Sequence, residues 1–497
     1  MIASLVLAAS LGGVVNLVPT LDRPPRVIVE FTAVPAAYAA KSMSSARSQL
    51  LARFRADLHA TAPAAVVRHE YRATFSGAAV EAAGPQIDAI RRLPYVKAIH
   101  PDRAVQALAL PSAAPDAVLS NAGSRVNSLN LPTRGEGIRV AVIDTGIDYT
   151  HPALGGGFGP GYKVAGGYDF YNGDADPFDD NGHGTHVAGI IAADSDSLIG
   201  VAPRATLYAF KVLNSDGAGS ASDVIAGIEA AADPNGDGDT SDHVDVANLS
   251  LGGLGGADDP QSRAVDAAVA AGVVMCVAAG NSGGFAIIGS PGTARSAITV
   301  GAIDDAGAMT SFSSRGPSPG ALAFKPDVVA PGKDITSTYA GGGVATLSGT
   351  SMATPHVTGA CALLRSLHRD WSPADVKMAL ASAATPIVGT PADRGAGRVD
   401  AERASQATLL AATPACRSAS TARAAARSTR RAPSPSRTAA PRRRRSPRRS
   451  TARPGRRSPS RRHRRRSRRD NRSASTCISR STTRKSAIPP PRQRAAP

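Results

Sequence analysis

The chain of 497 residues contains an aspartate, a histidine and a serine whose local contexts suit them for one reaction. Asp144 ends an apolar, β-branched run, His183 lies between glycines where a loop enters a helix, and Ser351 stands just ahead of an Ala-rich helical stretch. A serine hydroxyl is a poor nucleophile near neutral pH, so it needs a base such as histidine, which in turn needs a carboxylate to orient it. The three residues therefore indicate nucleophilic catalysis by an activated serine.

Each of these residues also has a simpler interpretation. The Asp-Thr-Gly at Asp144 is shared with pepsin-type aspartic proteases, but those need two carboxylates that share a proton, and no second Asp-Thr-Gly or Asp-Ser-Gly occurs in the sequence. His183 and His186 are spaced like metal ligands, but the zinc-protease pattern His-Glu-x-x-His is missing. Ser351 alone would be an ordinary helix N-cap. It is followed by Met and Ala, which excludes the Gly-x-Ser-x-Gly elbow of esterases.

Taken together, the three contexts resemble the subtilisin-like serine proteases, the subtilases. The matching segments are Asp144-Thr-Gly-Ile-Asp148, Asn181-Gly-His-Gly-Thr-His-Val-Ala-Gly189 and Gly349-Thr-Ser-Met-Ala-Thr-Pro-His356. They follow the chain order of subtilisin, in which aspartate precedes histidine and serine comes last. The resemblance implies a serine endopeptidase with Asp144, His183 and Ser351 as its triad.

Two further segments resemble the substrate-binding parts of the same family. Ala278-Ala-Gly-Asn-Ser-Gly283 matches the oxyanion-hole motif, so Asn281 and the backbone N–H of Ser351 are expected to stabilise the tetrahedral intermediate. Asp245-Val-Ala-Asn-Leu-Ser-Leu-Gly-Gly253 matches a strand that lines the substrate cleft. The resemblance therefore implies two walls for the pocket of the residue before the scissile bond: Ser250, Leu251 and Gly252 on one side, and Ala278, Ala279 and Gly280 on the other.

The region from about residue 113 to 405 has the pattern of a single α/β domain. Short β-branched runs alternate with Ala-rich helical stretches; the runs are Val140–Ile143, Leu207–Val212, Val244–Leu249, Val273–Ala278 and Ile298–Ile303. Because these runs are mainly apolar along their whole length and separated by helices, they predict a mainly parallel sheet covered by helices on both faces. Ligand sites in such sheets lie beyond the carboxyl ends of the strands, where Asp144 falls.

Residues 23–110 are predicted to form a second, small α+β domain. Strands are expected over Arg26–Phe31, Tyr71–Val80 and Val96–Pro101, with helices over Ser42–Leu58 and Gln86–Leu93. This order resembles the inhibitor I9-like propeptide of subtilases, which implies an intramolecular inhibitor that is removed by self-cleavage. The cut is predicted between Gln106 and Ala114, and a permanent N-terminal domain is the alternative.

Residues 1–22 are interpreted as a secretion signal. The apolar run Ile2–Val15 has the length of a signal core and is too short to span a bilayer, although no Lys or Arg precedes it. No other segment has the character of a membrane span. The expected location is therefore extracellular.

One loop alternates oxygen-bearing side chains in the manner of a calcium site: Asp233, Asn235, Asp237 and Asp239. Gly238 at the sixth position fits the EF-hand pattern, but Val244 stands at the twelfth, where a bidentate glutamate is needed. The loop is interpreted either as a calcium site that serves stability or as a solvated acidic loop. No cofactor is expected in the chemistry itself.

The net charge of +18 is confined to the end of the chain. Residues 411–497 hold 28 Lys and Arg against one acidic residue, Asp470, and lack periodic apolar residues, which predicts disorder. This tail is interpreted as an arm for nucleic acid or an anionic surface, as a solvated linker, or as a frameshifted translation of a GC-rich gene, which we favour.

The expected partners are protein or peptide substrates and the chain's own propeptide, and the enzyme is expected to be a monomer. Nucleic acid is expected to bind only non-specifically, through the tail, because no base-reading motif occurs elsewhere. The alternative functions are a catalytically inactive homologue and binding to anionic polymers.

Overall fold

The computed structural model describes residues 25–38, 44–111, 121–319 and 323–407. The predictions for the secretion segment 1–22 and for the tail 411–497 lie outside these residues. Among the described helices, none combines the length and the apolar character that crossing a lipid bilayer requires.

The N-terminal domain is a four-stranded antiparallel sheet with two helices. Its elements are β1 (Arg26–Phe31), α1 (Ser44–Thr61), β2 (Val66–Tyr71), β3 (Gly77–Glu81), α2 (Gly84–Arg91) and β4 (Val96–Pro101). The strand order is β2-β3-β1-β4. Phe31 and Phe54 pack with ring centroids 5.0 Å apart in the core between the sheet and α1.

The prediction of one strand over Tyr71–Val80 is wrong, because β2 ends at Tyr71 and β3 begins at Gly77. The backbone N–H groups of residues 72–75 donate to the carboxylate of Glu229 instead of to a neighbouring strand. A glutamate outside the domain thus supplies the acceptors that a β-ladder would otherwise provide.

The remaining elements follow a short stretch of extended chain. They are β5 (Ala104–Ala107), β6 (Leu110–Pro111), β7 (Arg139–Asp144), β8 (Val164–Asp169), α3 (His183–Ala192), β9 (Thr206–Lys211), β10 (Ala218–Ser220), α4 (Ala221–Ala232), β11 (Val246–Leu249), β12 (Leu251–Gly252), α5 (Pro260–Ala271), β13 (Val274–Ala278), β14 (Ile298–Ile303), β15 (Val328–Pro331), β16 (Ile335–Tyr339), β17 (Gly343–Ser348), α6 (Thr350–Leu367), α7 (Pro373–Ala383), α8 (Pro391–Arg394) and α9 (Ala401–Ser405). In the described part of the chain, seven of these strands form one sheet in the order β15-β14-β13-β11-β7-β9-β8.

This sheet is parallel and buried on both faces, which confirms the predicted fold class. Along β7, Val140 and Val142 join the core that contains residues of α3 and α6. The alternate residues Ala141 and Ile143 join the core that contains residues of α4 and α5. Because side chains alternate across a strand, an apolar residue at every position places helices on both faces.

Helix α6 lies against the middle of the sheet and is buried from Thr350 to Leu364. Pro355 lies inside this helix and has no N–H for the carbonyl of Ser351, four residues earlier. The hydroxyl of Ser250 donates to that carbonyl at 2.9 Å. A residue just after β11 therefore replaces the missing helical hydrogen bond and ties the start of α6 to the sheet.

Candidate functional site

Asp144 and His183 meet where β7 ends and α3 begins. The Nδ1 atom of His183 lies 2.6 Å from Oδ1 of Asp144, and both side chains are buried. The backbone N–H of Thr145 donates to the same carboxylate oxygen at 2.8 Å. The carboxylate thus fixes the orientation of the ring, so that Nε2 is the nitrogen left for chemistry.

The electrostatics of this pair raise the basicity of the imidazole. Burial lowers the pKa of His183, but the charge and hydrogen bond of Asp144 and the charge of Asp179 outweigh burial, so that the net pKa is above its usual 6.5. Its Nε2 atom is buried and has no hydrogen-bond partner among the described residues. An imidazole with one nitrogen bound to a carboxylate and the other unpaired is arranged as a general base.

Ser351 occupies the first turn of α6 and is fully buried. Its hydroxyl donates to the backbone carbonyl of Ser250 at 2.8 Å. The structure therefore places the serine in a helix N-terminus beside β11, with its hydroxyl bound to a carbonyl and not to His183.

Asn281 follows β13 and faces the start of α6. Its Oδ1 atom accepts both the backbone N–H and the hydroxyl of Thr350, each at 2.9 Å. Its Nδ2 group donates to the carbonyl oxygen of Leu108 at 2.7 Å. Since the oxygen of the amide is held by two donors, the amide presents its NH₂ group to the Leu108 carbonyl.

Gly349 provides the space for that carbonyl. A Cβ atom at Gly349 would lie 2.4 Å from the carbonyl oxygen of Leu108 and 3.0 Å from Nδ2 of Asn281. Any side chain at this position would therefore displace the Leu108 carbonyl from the Asn281 amide.

The chain on either side of Leu108 is bound as an extended peptide. Strand β5 lies between β10 and β12 in an antiparallel sheet of three described strands, and β6 pairs with β17 on the far side. The backbone N–H of Leu108 donates to the carbonyl of Ser250 at 3.2 Å, and that of Ala107 donates to Gly217 at 2.9 Å. The segment from Ala104 to Pro111 thus crosses the site between fixed strand edges, as β-augmentation does.

The predicted pocket residues divide into two groups. Gly252, Ala278, Ala279 and Gly280 line a groove of about 920 Å³ together with Leu108 and Asn281. Ser250 and Leu251 are buried and act through the backbone: Ser250 accepts from Leu108, and Leu251 pairs with Ala107. Cδ1 of Leu108 would lie 3.3 Å from a Cβ atom at Gly252, which shows that its side chain enters between the two walls.

The oxygen-bearing side chains of the loop after α4 accept hydrogen bonds from the loop's own backbone. Both carboxylate oxygens of Asp233 accept backbone N–H groups, from Asp237 at 3.2 Å and Gly238 at 2.7 Å. Asp237 accepts the N–H of Asp239 at 2.7 Å, and Asn235 accepts that of Asp237 at 2.8 Å. No group of three or more His, Cys, Asp or Glu side chains suited to a metal ion occurs in the described ranges. These contacts are compatible with a solvated acidic loop, and the calcium site stays a prediction.

Two residues of this site lay beyond the sequence motifs. The buried carboxylate of Asp179 contacts groups on both sides of the Asp144–His183 pair. In the sequence, Asp179 is marked only by its place as an acidic residue shortly before α3. Many surface turns have the same pattern, so the sequence alone does not distinguish it. Leu108 falls within the range Gln106–Ala114 predicted for the cut, but the sequence does not single it out, because no motif marks the residue that fills the cleft.

Comparison with known families assigns both folded regions. Residues 135–409 match the Subtilase family, and residues 26–108 match the Peptidase inhibitor I9 family. The second match ends at Leu108, the residue whose carbonyl is bound by Asn281.

Individual relatives agree with these matches. The chain is 43% identical over 278 residues to a subtilisin from Bacillus pumilus, which covers 55% of this chain and 92% of the relative. It is 43% identical to subtilisin E from Bacillus subtilis (strain 168), over 55% of this chain and 66% of the relative. An alkaline protease from Shouchella clausii is 38% identical over 346 residues, or 68% of this chain and 81% of the relative. The chain therefore belongs to the subtilase family of serine endopeptidases and contains a propeptide domain of the peptidase inhibitor I9 type.

Proposed function

We propose that the chain is the precursor of an exported serine endopeptidase that activates itself by cutting the Leu108–Ala109 bond, with Asp144, His183 and Ser351 as its triad. The observation that carries this proposal is the position of Leu108. Its carbonyl oxygen accepts from Asn281 at 2.7 Å, and its N–H donates to Ser250 at 3.2 Å. These contacts hold the peptide bond after Leu108 beside the first turn of α6.

The chemistry begins when the Ser351 hydroxyl leaves the Ser250 carbonyl and donates to Nε2 of His183. As Oγ attacks the carbonyl carbon of Leu108, Nε2 takes the proton and Asp144 stabilises the imidazolium. The negative charge moves to the carbonyl oxygen, which Asn281 and the backbone N–H of Ser351 stabilise.

Collapse of this intermediate breaks the bond to Ala109. The nitrogen of Ala109 takes the proton from His183 and leaves as a free amine, while Leu108 remains as an ester of Ser351. A water molecule then attacks the ester with His183 again as base, which releases a new C-terminal carboxylate and restores the serine hydroxyl. The same steps apply to a protein or peptide substrate once the propeptide has left the cleft.

The direct test compares the refolded full chain with Ser351→Ala. We expect the wild type to yield a product whose N-terminal residue is Ala109, and to be labelled by a fluorophosphonate after activation. Ser351→Ala should remain uncut and unlabelled, while Ser366→Ala, a serine further along α6, should behave as wild type. A folded wild type that is neither cut nor labelled would identify an inactive homologue and contradict the proposal.

Calcium at the acidic loop is tested separately from the chemistry. We expect Asp237→Ala to leave the calcium dependence of the melting temperature unchanged, because the described residues contain no group of three or more His, Cys, Asp or Glu side chains suited to a metal ion. The comparison is made with and without EDTA in an uncut Ser351→Ala background. A stabilisation by calcium that disappears in Asp237→Ala would establish a calcium site here.

A further inference from the structure

A second buried carboxylate adjoins the Asp144–His183 pair. Asp179 is 1% exposed and lies in the loop before α3. Its Oδ1 atom accepts from the Thr145 hydroxyl at 2.9 Å and from the N–H groups of Asn181 at 3.0 Å and Gly182 at 2.9 Å. Its Oδ2 atom accepts the N–H and hydroxyl of Thr185 at 2.8 and 2.6 Å. One side chain thus joins the residue after Asp144 to residues on both sides of His183.

The hydrogen-bond directions favour the charged form of this carboxylate. The Thr145 hydroxyl accepts the N–H of Gly184 at 2.8 Å, and the Thr185 hydroxyl accepts that of Asp148 at 2.8 Å. Each hydroxyl therefore directs its hydrogen to Asp179, so that all five contacts donate to the carboxylate. Burial raises the pKa of Asp179 above its usual value, and these donated bonds limit that rise without reversing it.

The titratable groups around His183 come from five parts of the fold, one of which is the loop that carries Asp179. Asp144 binds the ring from the end of β7, and Lys211 of β9 donates to the Thr145 carbonyl at 2.8 Å. His186 lies one turn along α3, and burial lowers its pKa to about 3, so that it is neutral at working pH. Tyr339 of β16 donates to the Asn181 carbonyl at 3.0 Å. Asp144 and Asp179 are the groups whose negative charges raise the pKa of His183.

We propose that Asp179 is a positioning residue for catalysis, which holds the end of β7 and the start of α3 in register and adds a second negative charge that stabilises the imidazolium of His183. It acts through its five donors and its field, without contact to the substrate. This inference rests on the proposed triad, and it assigns a role to a residue outside the three catalytic motifs.

The test is the pH dependence of kcat and KM for Asp179→Asn, measured on processed enzyme with a peptide anilide that has Leu before the scissile bond. The substitution keeps the shape and removes the charge. We expect the acid limb of kcat/KM to move to lower pH by about 0.5 to 1 unit, because the imidazolium loses a stabilising charge. We also expect kcat to fall about 10- to 100-fold, with KM within about threefold, since the carboxamide cannot accept from all five donors.

The matched control is Asp176→Asn in the same loop. Asp176 is exposed and accepts the Tyr149 hydroxyl at 2.8 Å. This variant should keep the wild-type acid limb within about 0.2 pH unit because water screens its charge. An Asp179→Asn enzyme that loses activity with an unmoved acid limb, or that keeps the wild-type kcat, overturns the inference.

If Asp179→Asn does not fold, Thr145→Val replaces it, since this change removes one donor and keeps the charge. The inference then requires a kcat loss of about tenfold with an unmoved acid limb, and a wild-type kcat overturns it. The proposed function fails in a different way, namely by the absence of fluorophosphonate labelling at Ser351 in the wild type.

Discussion

The orientation of the Asn281 side chain determines which of its atoms faces a carbonyl oxygen bound in the site. Both donors of Thr350 hold its Oδ1 atom at 2.9 Å, so that the NH₂ group has one direction left, toward the Leu108 carbonyl. A donor fixed before the reaction costs no reorganisation when negative charge develops on the oxygen. The contribution of Asn281 should therefore be largest in the transition state.

We expect Asn281→Ala to lower kcat about 10²- to 10³-fold while KM stays within a fewfold, because the lost hydrogen bond strengthens as the oxyanion forms. The measurement is steady-state hydrolysis of a peptide anilide by processed enzyme. Asn130→Ala, at an exposed asparagine, is the control. A rise in KM at constant kcat would show instead that Asn281 serves ground-state binding.

At the scale of secondary-structure elements, a side chain from outside α6 replaces one of the backbone hydrogen bonds of this helix. Pro355 leaves the Ser351 carbonyl without a helical donor, and the Ser250 hydroxyl takes that place at 2.9 Å. The same Ser250 accepts the Ser351 hydroxyl through its carbonyl at 2.8 Å. The strand end and the helix start therefore exchange two hydrogen bonds at Ser351.

Ser250→Ala should lower the free energy of unfolding by about 1–3 kcal/mol, since it leaves a buried carbonyl unpaired. Urea unfolding of the uncut Ser351→Ala background measures this without self-digestion. In a Pro355→Ala background the helix regains its own N–H donor, so the same substitution should cost markedly less. Equal costs in both backgrounds would contradict this account of the Ser250 hydroxyl.

Two buried histidines, one in α3 and one in α6, should make the free energy of unfolding depend on pH in the acid range. Burial lowers the pKa of both His186 in α3 and His356 in α6 to about 3, against about 6.5 in an unfolded chain. Below pH 6.5 the unfolded chain binds protons that the folded chain excludes, so stability falls as the pH drops toward 3. We expect His356→Gln to reduce this slope by about one proton, as measured by urea unfolding at pH 7, 5 and 4. An unchanged slope would show that His356 is not responsible.

Most of the element pattern could be predicted from the sequence because the buried strands are mainly apolar on both faces. The contexts of Asp144, His183 and Ser351 likewise predicted that β7, α3 and α6 would meet. The gap between β2 and β3 could not be predicted, because its cause is Glu229, more than 150 residues away in the chain. Asp179 was missed for a similar reason: only the fold shows that its five donors surround one buried carboxylate.

At the scale of the whole molecule, the propeptide domain is attached to the enzyme through charged side chains. Glu229 accepts four backbone N–H groups and the Thr74 hydroxyl from the loop between β2 and β3. At the start of α4, Arg26 pairs with Asp223 at 2.7 Å, and Asp102 accepts the Ser222 hydroxyl at 2.6 Å. The propeptide domain is thus held both at the cleft and along its sheet.

Glu229→Ala should weaken inhibition by the cleaved propeptide about 10- to 100-fold, because several N–H groups lose a charged acceptor together. The readout is the lag between cleavage of the Leu108–Ala109 bond and the appearance of activity toward an added peptide, which should shorten. Glu136→Ala, at an exposed glutamate, is the control. An unchanged lag would place the inhibitory affinity in the cleft segment alone.

The strand from Ala104 to Ala107 also has a consequence for the kinetic order of the proposed maturation. Under the proposed self-cleavage, covalent connection keeps this segment between β10 and β12, so we expect the first cut to be a unimolecular event whose half-life does not change when the precursor is diluted a hundredfold. Later turnovers depend on encounter with a second molecule and slow on dilution. A precursor released into a large volume would therefore still mature at its full rate, even where it meets almost no other protein.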